Sequence, residues 1–157
     1  MIALRLATME DARTLFAWVN SPDSLAASLR TKAPIPWEQH VVWMEERLHD
    51  PNTLLLIAEE NEKPIGHVRF QDTGEGPEVS IFLASEHRRG GLALEMLRTA
   101  MQQAVSRWAD TPFLARIKTA NAASRGLFES VGFRLARTAE DHLLFSYDPS
   151  TNNGQHS

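Results

Sequence analysis

The feature that most constrains the fold lies in mid-chain, where a short apolar strand is followed by a pair of glycines and then by a long amphipathic helix. The strand is predicted over residues 78–83 and the helix over about residues 91–108. The first N–H groups of a helix have no partner inside it and carry partial positive charge. A second strand, predicted over residues 113–118, follows the helix, so the two strands are expected to be parallel.

The turn between this strand and this helix has the composition of an anion-binding site. Its residues are Arg88, Arg89, Gly90, Gly91, Leu92 and Ala93. The glycines allow a bulky anion to approach the backbone, and the arginines add formal positive charge. An ordinary glycine-containing loop is the alternative, and the six residues alone do not decide between the two.

The composition of the chain limits the classes of protein to which it can belong. The 157 residues suit one domain, and hydrophobic and charged contents of 43% and 23% are typical of a soluble globular chain. No apolar run approaches the roughly 20 residues that cross a bilayer, so we expect no membrane association and a cytoplasmic location. A net charge of −4 argues against nucleic acid as a partner. The chain has no cysteine, its six histidines lack metal-ligand spacing, and we expect no metal.

The remaining pattern alternates strands and helices without a repeat or an internal boundary. The predicted order is β, α, α, α, β, β, β, α, β, α, β, β, which indicates an α/β fold with helices flanking the sheet. Thr8 is expected to cap the first helix together with Asp11. We assign one domain to residues 1–148, and the polar residues 149–157 predict a disordered tail.

Two motifs together carry a resemblance to a known family. Arg88, Gly91 and Ala93 fit Q/R-x-x-G-x-G/A, and residues 121–133 (NAASRGLFESVGF) fit N-x-x-[AS]-x-x-[LF]-[YF]-x-x-x-G-F. The chain thereby resembles the GCN5-related N-acetyltransferases, or GNAT superfamily, over nearly its whole length. The resemblance implies a single-domain α/β fold with a mixed sheet of about six to seven strands, in which one pair of parallel strands splays apart.

The same resemblance implies acetyl-CoA as the acyl donor, bound mainly by backbone groups. The turn from Arg88 to Ala93 would hold the pyrophosphate. The backbone of Ile81, Phe82 and Leu83 would pair with the pantetheine arm like an added strand. Asn121 would hydrogen-bond the cofactor, although an ordinary helix cap explains this residue equally well.

Phe128 departs from the family pattern. Many members have a tyrosine here, which is proposed to protonate the departing thiolate, and a phenyl ring has no proton to give. The thiolate then leaves unassisted, or Ser124 or a water molecule supplies the proton. Phe128 is left with a packing role near the thioester.

Alternation along the strand at 78–83 suggests the catalytic side of the sheet. Val79, Ile81 and Leu83 should face the helices, which directs Glu78, Ser80 and Phe82 towards an acceptor. Glu78 is the candidate general base, and a solvent-facing glutamate is the alternative.

The neighbouring elements supply candidate acceptor-binding residues. His67 and Arg69 share one face of the preceding strand, where they could bind a phosphate or carboxylate or simply lie exposed. On the helix over residues 37–50, we expect Trp37 to be buried. His40 and Trp43 lie on an adjacent stripe of that helix, where acceptor binding competes with core packing as an explanation.

The expected partner is a small-molecule amine. Segments such as Trp18–Pro22 and Ile35–His40 resemble the acetyltransferases of nucleotide-linked amino sugars, of the pseudaminic-acid type. Two alternatives remain open: acetylation of N-termini or small amines, as in the ribosomal-protein type, and a non-catalytic acyl-CoA sensor. A homodimer is compatible with the sequence.

Overall fold

A computed structural model describes residues 2–29, 33–88 and 90–150, which form one seven-stranded mixed sheet with helices on both faces. The strands are β1 (Ile2–Leu6), β2 (Thr53–Glu60), β3 (Lys63–Asp72), β4 (Pro77–Leu83), β5 (Phe113–Lys118), β6 (Arg134–Thr138) and β7 (His142–Tyr147). The helices are α1 (Ala12–Val19), α2 (Pro22–Ala27), α3 (Trp37–His49), α4 (Leu92–Arg107) and α5 (Ala122–Val131). This order, and the fold class, confirm the prediction from sequence.

The sheet order is β1-β2-β3-β4-β5-β7-β6. Neighbouring strands are antiparallel except β4 and β5, which run parallel because α4 returns the chain across the sheet. β2 and β3 form the predicted hairpin, and Asn61 and Glu62 at its turn both have positive φ values, of 52° and 69°. That conformation matches the right-handed twist of the two strands.

The predicted cap at the first helix forms and is tied to the sheet. The Thr8 N–H donates to Asp11 Oδ2 at 2.9 Å, and Arg5 binds both Asp11 oxygens and Glu59. The Arg5 guanidinium holds the pKa of the buried Asp11 carboxyl below its usual value. This network joins β1, β2 and the entrance to α1.

One face of α4 closes the main core. The residues Met96, Leu97, Ala100, Met101 and Ala104 are buried against the sheet, as their helical spacing predicts. From the sheet, Val79 and Leu83 of β4 are buried in the same core, and Ile81 packs against it. The alternate residues of β4 are therefore directed to the opposite face of the sheet.

That opposite face carries a smaller core beneath α1 and α3. Met44 of α3 is fully buried there with Leu15 of α1. The expectation that Trp37 is buried is wrong: it is half-buried at the first turn of α3, between Phe16 and Arg13. The fully buried aromatic residue of this helix is His40, one turn further along.

The far edge of the sheet is polar. All five residues of β6 are exposed, and Arg134 and Arg137 lie on either side of Leu135 and Ala136. No helix among the described residues is long and apolar enough to span a membrane.

Gly66 of β3 allows the close contact between β3 and β4 on which the site rests. A Cβ atom at this position would lie 2.2 Å from the Phe82 carbonyl oxygen and 3.0 Å from the methyl group of Met96. Because the first of these atoms belongs to the backbone, the strands would have to move apart.

We therefore expect Gly66→Ala to lower the free energy of unfolding by about 1–3 kcal/mol, measured by urea denaturation. Gly126→Ala in the interior of α5 is the matched control, since a Cβ atom there meets nothing within 4 Å. The control should raise stability by about 0.5–1 kcal/mol. Equal stability of the two variants would contradict the close strand contact.

Candidate active site

The parallel strands β4 and β5 separate almost as soon as they meet. Within the described residues, one registered pair joins them, Glu78 to Leu114. The Ala84 N–H bonds the Ile65 carbonyl of β3, so by alternation the polar groups of Ile81 and Leu83 are directed towards β5. The last residues of β4 thus face a gap in the sheet that an extended ligand can enter.

The glycine turn follows this gap and opens to solvent. Gly90 and Gly91 have φ values of 74° and 77°, and nothing lies within 4 Å of a Cβ atom built on either residue. Gly91 is the N-cap of α4 and has no side chain that could accept a hydrogen bond. The N–H groups of Leu92 and Ala93 therefore lie at a helix N-terminus without a side-chain cap. Arg89 lies outside the described residues.

Arg88 points towards α2. Its Nε donates to the Leu83 carbonyl at 2.6 Å, and its Nη1 pairs with Asp23 Oδ2 at 2.7 Å. The guanidinium also lies 5.6 Å from the ring centre of Phe82. Arg88 therefore contacts the end of β4, from which the predicted cofactor arm would receive hydrogen bonds.

The second motif forms the start of α5. Asn121 caps this helix, its Oδ1 accepting the Ser124 N–H at 3.1 Å, and Ser124 is half-buried. Phe128 is 3% exposed and packs edge-on against Phe133, with the ring centres 5.0 Å apart. Phe128 is therefore part of the main core.

A cavity of about 660 Å³ lies between the helices α1, α2 and α3 and the open face of β2, β3 and β4. It brings together all the predicted acceptor-side residues, namely His40, Trp43, His67, Arg69, Glu78 and Ser80. Its volume is that of a small-molecule site. Ser124 and Asn121 do not line this cavity.

Arg116 also lines the cavity, and the sequence analysis missed it. It lies on β5, where Ala115 and Ile117 on either side of it are buried, and its Nη1 pairs with Glu78 Oε1 across the start of the gap. The side chains of both partners are about a fifth exposed, at 22% and 23%. Alternation along β5 was the signal that could have placed Arg116 on this face.

His67 packs with two aromatic rings, Trp18 and Phe82, which also contact each other. Its ring centre lies 6.0 Å from that of Trp18 and 5.8 Å from that of Phe82. Burial, and the nearby charge of Arg69, lower the pKa of His67 to about 3, so the ring is neutral at pH 7. The neutral imidazole can therefore offer a bound molecule hydrogen bonds but no charge.

Arg69 is held by a stack of side chains. His40 Nε2 bonds the Ala12 carbonyl at 3.0 Å, and its ring stacks on Trp43 with the centres 5.9 Å apart. The Arg69 guanidinium lies 5.3 Å from the Trp43 ring centre and 3.5 Å from Ser80 Oγ. Burial lowers the pKa of His40, which supports a neutral stacking partner. The stack fixes a positive charge in the cavity wall.

Among the described residues, no group of three or more histidine, aspartate or glutamate side chains is arranged to hold a metal ion. Among the described residues that line the cavity, the charged side chains are those of Arg69, Arg116, Glu78 and Asp141. The site thus combines a backbone turn suited to an anion with a cavity wall that carries charges of both signs.

Comparison with known proteins agrees with this geometry. The family model described as "Acetyltransferase (GNAT) domain" matches residues 2–134. An aminoglycoside acetyltransferase AAC(6')-Ib, solved with coenzyme A, is similar at a TM-score of 0.83 and 16% identity, with 100% of both chains covered. A spermidine N-acetyltransferase from Vibrio cholerae, solved with CoA and spermine, is similar at a TM-score of 0.80 and 16% identity, with 92% of both chains covered.

A domain from Methanocaldococcus jannaschii has 23% identity and a TM-score of 0.81, with 94% of this chain and 98% of that domain covered. No curated protein matches the sequence. Since the family model spans most of the chain and the splayed parallel strands carry its two motifs in order, the protein belongs to the GNAT family of acetyltransferases.

Proposed function

We propose that the protein transfers an acetyl group from acetyl-CoA directly to a primary amine held in the cavity. The observation that carries this proposal is that β4 contributes both to the donor side and to the acceptor side. Its backbone at Ile81 and Leu83 faces the gap beside the glycine turn, while Glu78 and Ser80 line the cavity. A thioester lying in the gap would therefore meet an amine from the cavity. The similar structures solved with coenzyme A and with amine ligands support both the donor and the acceptor part of this proposal.

On the donor side, the pyrophosphate would lie against the N–H groups from Gly90 to Ala93, with Arg88 adding charge. The chain supplies these donors at an uncapped helix start, where the helix dipole also favours an anion. The pantetheine arm would pair with the peptide groups of Ile81 and Leu83 along the gap. Asn121 would contact the arm from the opposite side, and Phe128 would pack behind it.

Gly91→Glu should weaken coenzyme A binding at least about tenfold, measured by calorimetry, because a carboxylate would face the diphosphate. Gly74→Glu is the matched control: Gly74 also has a positive φ and open space around its Cβ position, but it lies in the β3–β4 turn. The control should bind coenzyme A normally. Failure of the parent protein to bind at millimolar concentration would refute the donor site.

On the acceptor side, the amine must be neutral when it attacks. An alkyl amine with a pKa of about 10.4 is neutral in about one part in a thousand at pH 7, a penalty of roughly 4–5 kcal/mol. Glu78 is positioned to accept the proton, directly or through water, while Arg116 compensates its charge. Holding the amine beside the thioester supplies much of the remaining acceleration.

The transfer needs no covalent enzyme intermediate. The amine nitrogen forms the new bond to the acetyl carbon, the C–S bond breaks, and the amine proton passes to Glu78 or water. The thiolate departs with a proton from Ser124 or water, or unprotonated, since Phe128 has none to give. The chain contains no cysteine that could carry the acetyl group.

Glu78→Gln should lower kcat/KM about 100-fold at pH 7 and clearly less at pH 9, where more of the acceptor is already neutral. The control is Glu75→Gln, since Glu75 also pairs with Arg116 but its side chain is 70% exposed. Rates are read from released thiol over a pH series. A loss of the same size at every pH would count against proton transfer to Glu78.

For the acceptor itself, we propose an amino sugar linked to a nucleotide. The fixed charge of Arg69 suits a phosphate or carboxylate on the acceptor, and the described lining residues carry no excess of carboxylates over arginines. A polycation would be better served by an excess of carboxylates. The resemblance of the N-terminal half to amino-sugar acetyltransferases points the same way.

Arg69→Gln should raise the KM of a nucleotide-linked amino sugar about 10- to 100-fold and leave that of the same sugar without its nucleotide nearly unchanged. Arg13→Gln is the control, because Arg13 also stacks on a tryptophan, Trp37, at 4.8 Å but lies outside the cavity. Initial rates are measured for the two sugars and also for a peptide and for spermidine, and their comparison decides the class of acceptor. Preference for the peptide would favour N-terminal acetylation, and bound coenzyme A without turnover of any amine would favour a sensor.

A further inference from the structure

The helix α2 bridges the two ends of the splayed strands. None of its six residues is buried, so packing alone holds it weakly. On one side Asp23 pairs with Arg88, which follows β4, and on the other the Ala26 carbonyl accepts a hydrogen bond from Lys118 at the end of β5. Ser24 and Ala27 of the same helix form part of the cavity wall.

Arg88 occupies groups that the proposed function assigns to the acyl donor. Its Nε bonds the Leu83 carbonyl, which faces the gap, and its Nη1 bonds Asp23. Its charge is also the one proposed for the diphosphate. When the donor enters, Arg88 therefore has to exchange partners.

We propose that Asp23 is a positioning residue for Arg88, and that α2 thereby couples the donor site to the acceptor cavity. A diphosphate carries more negative charge than one carboxylate and is also bound by the helix N–H groups, so it takes Arg88 from Asp23. The exchange frees the Leu83 carbonyl for the pantetheine arm and releases one end of α2. Binding of the acyl donor thereby changes the wall of the acceptor cavity.

This inference rests on the proposed function but adds a coupling that the function does not require. Two sites that share one structural element influence each other reciprocally, because both ligands bias the same equilibrium. Here the shared element is α2, and the contact between Asp23 and Arg88 is the one that the donor removes. The contact is exposed, with side-chain exposures of 60% and 40%, so it can be exchanged at small cost.

The test is hydrogen–deuterium exchange of the full chain, with coenzyme A as the probe. The Leu25 and Ser28 amides bond the Ser21 and Ser24 carbonyls within α2, so their protection reports its order. In the parent protein, saturating coenzyme A should speed their exchange. In Asp23→Asn the exchange should already be fast and should not respond to the ligand.

Calorimetry on the same proteins gives the second readout. Asp23→Asn should bind coenzyme A about two- to fivefold more tightly, since Arg88 no longer has to leave a carboxylate. Glu86→Gln is the matched control, because it also removes one carboxylate charge close to Arg88 in the chain, whereas the Glu86 carboxylate contacts Ser85 and His87. The control should retain the response of α2 to coenzyme A.

Lys118→Met frees the other end of α2 without touching Arg88. It should leave the Kd of coenzyme A unchanged and raise the acceptor KM about two- to tenfold. If coenzyme A binds the parent protein without changing α2 exchange, or if Asp23→Asn gains no more affinity than Glu86→Gln, the coupling is refuted. If the parent protein does not bind coenzyme A at all, the proposed function fails instead.

Discussion

The separation of two parallel strands after a single registered pair is the constraint on which the site depends. Because β4 and β5 meet at Glu78 and Leu114 and then diverge, the side of β4 that faces β5 has no further registered strand pair among the described residues. Unpaired peptide groups need partners, and in this structure the Arg88 side chain supplies one at Leu83.

Much of this arrangement could be predicted from the sequence because its signals are local. Alternation along β4 separated core residues from cavity residues, helical spacing identified the buried face of α4, and Thr8 with Asp11 marked the first helix. Contacts between distant segments could not be predicted in this way. The pairs Arg116–Glu78 and Arg88–Asp23 join residues 38 and 65 positions apart, and no periodicity encodes such distances.

The wrong prediction that Trp37 is buried has a physical cause. Trp37 begins a helix, where one side of the first turn faces solvent, whereas His40 one turn later lies against Ala12 and is buried. Contacts between distant segments also set the state of His67, whose ring is neutral because Trp18 and Phe82 pack against it and exclude water. The neutral ring of His40 stacks on Trp43, and Trp43 in turn holds the Arg69 cation in the cavity wall.

The exposed strand β6 bears on how copies of this protein could meet. An edge strand presents unpaired peptide groups to any other strand, and a two-fold axis through two such edges would bring Arg134 and Arg137 of one copy close to the same residues of the other. Four guanidinium groups along one short seam repel each other. Repulsion between the arginines of β6 therefore disfavours pairing of this open edge with the same edge of a second copy.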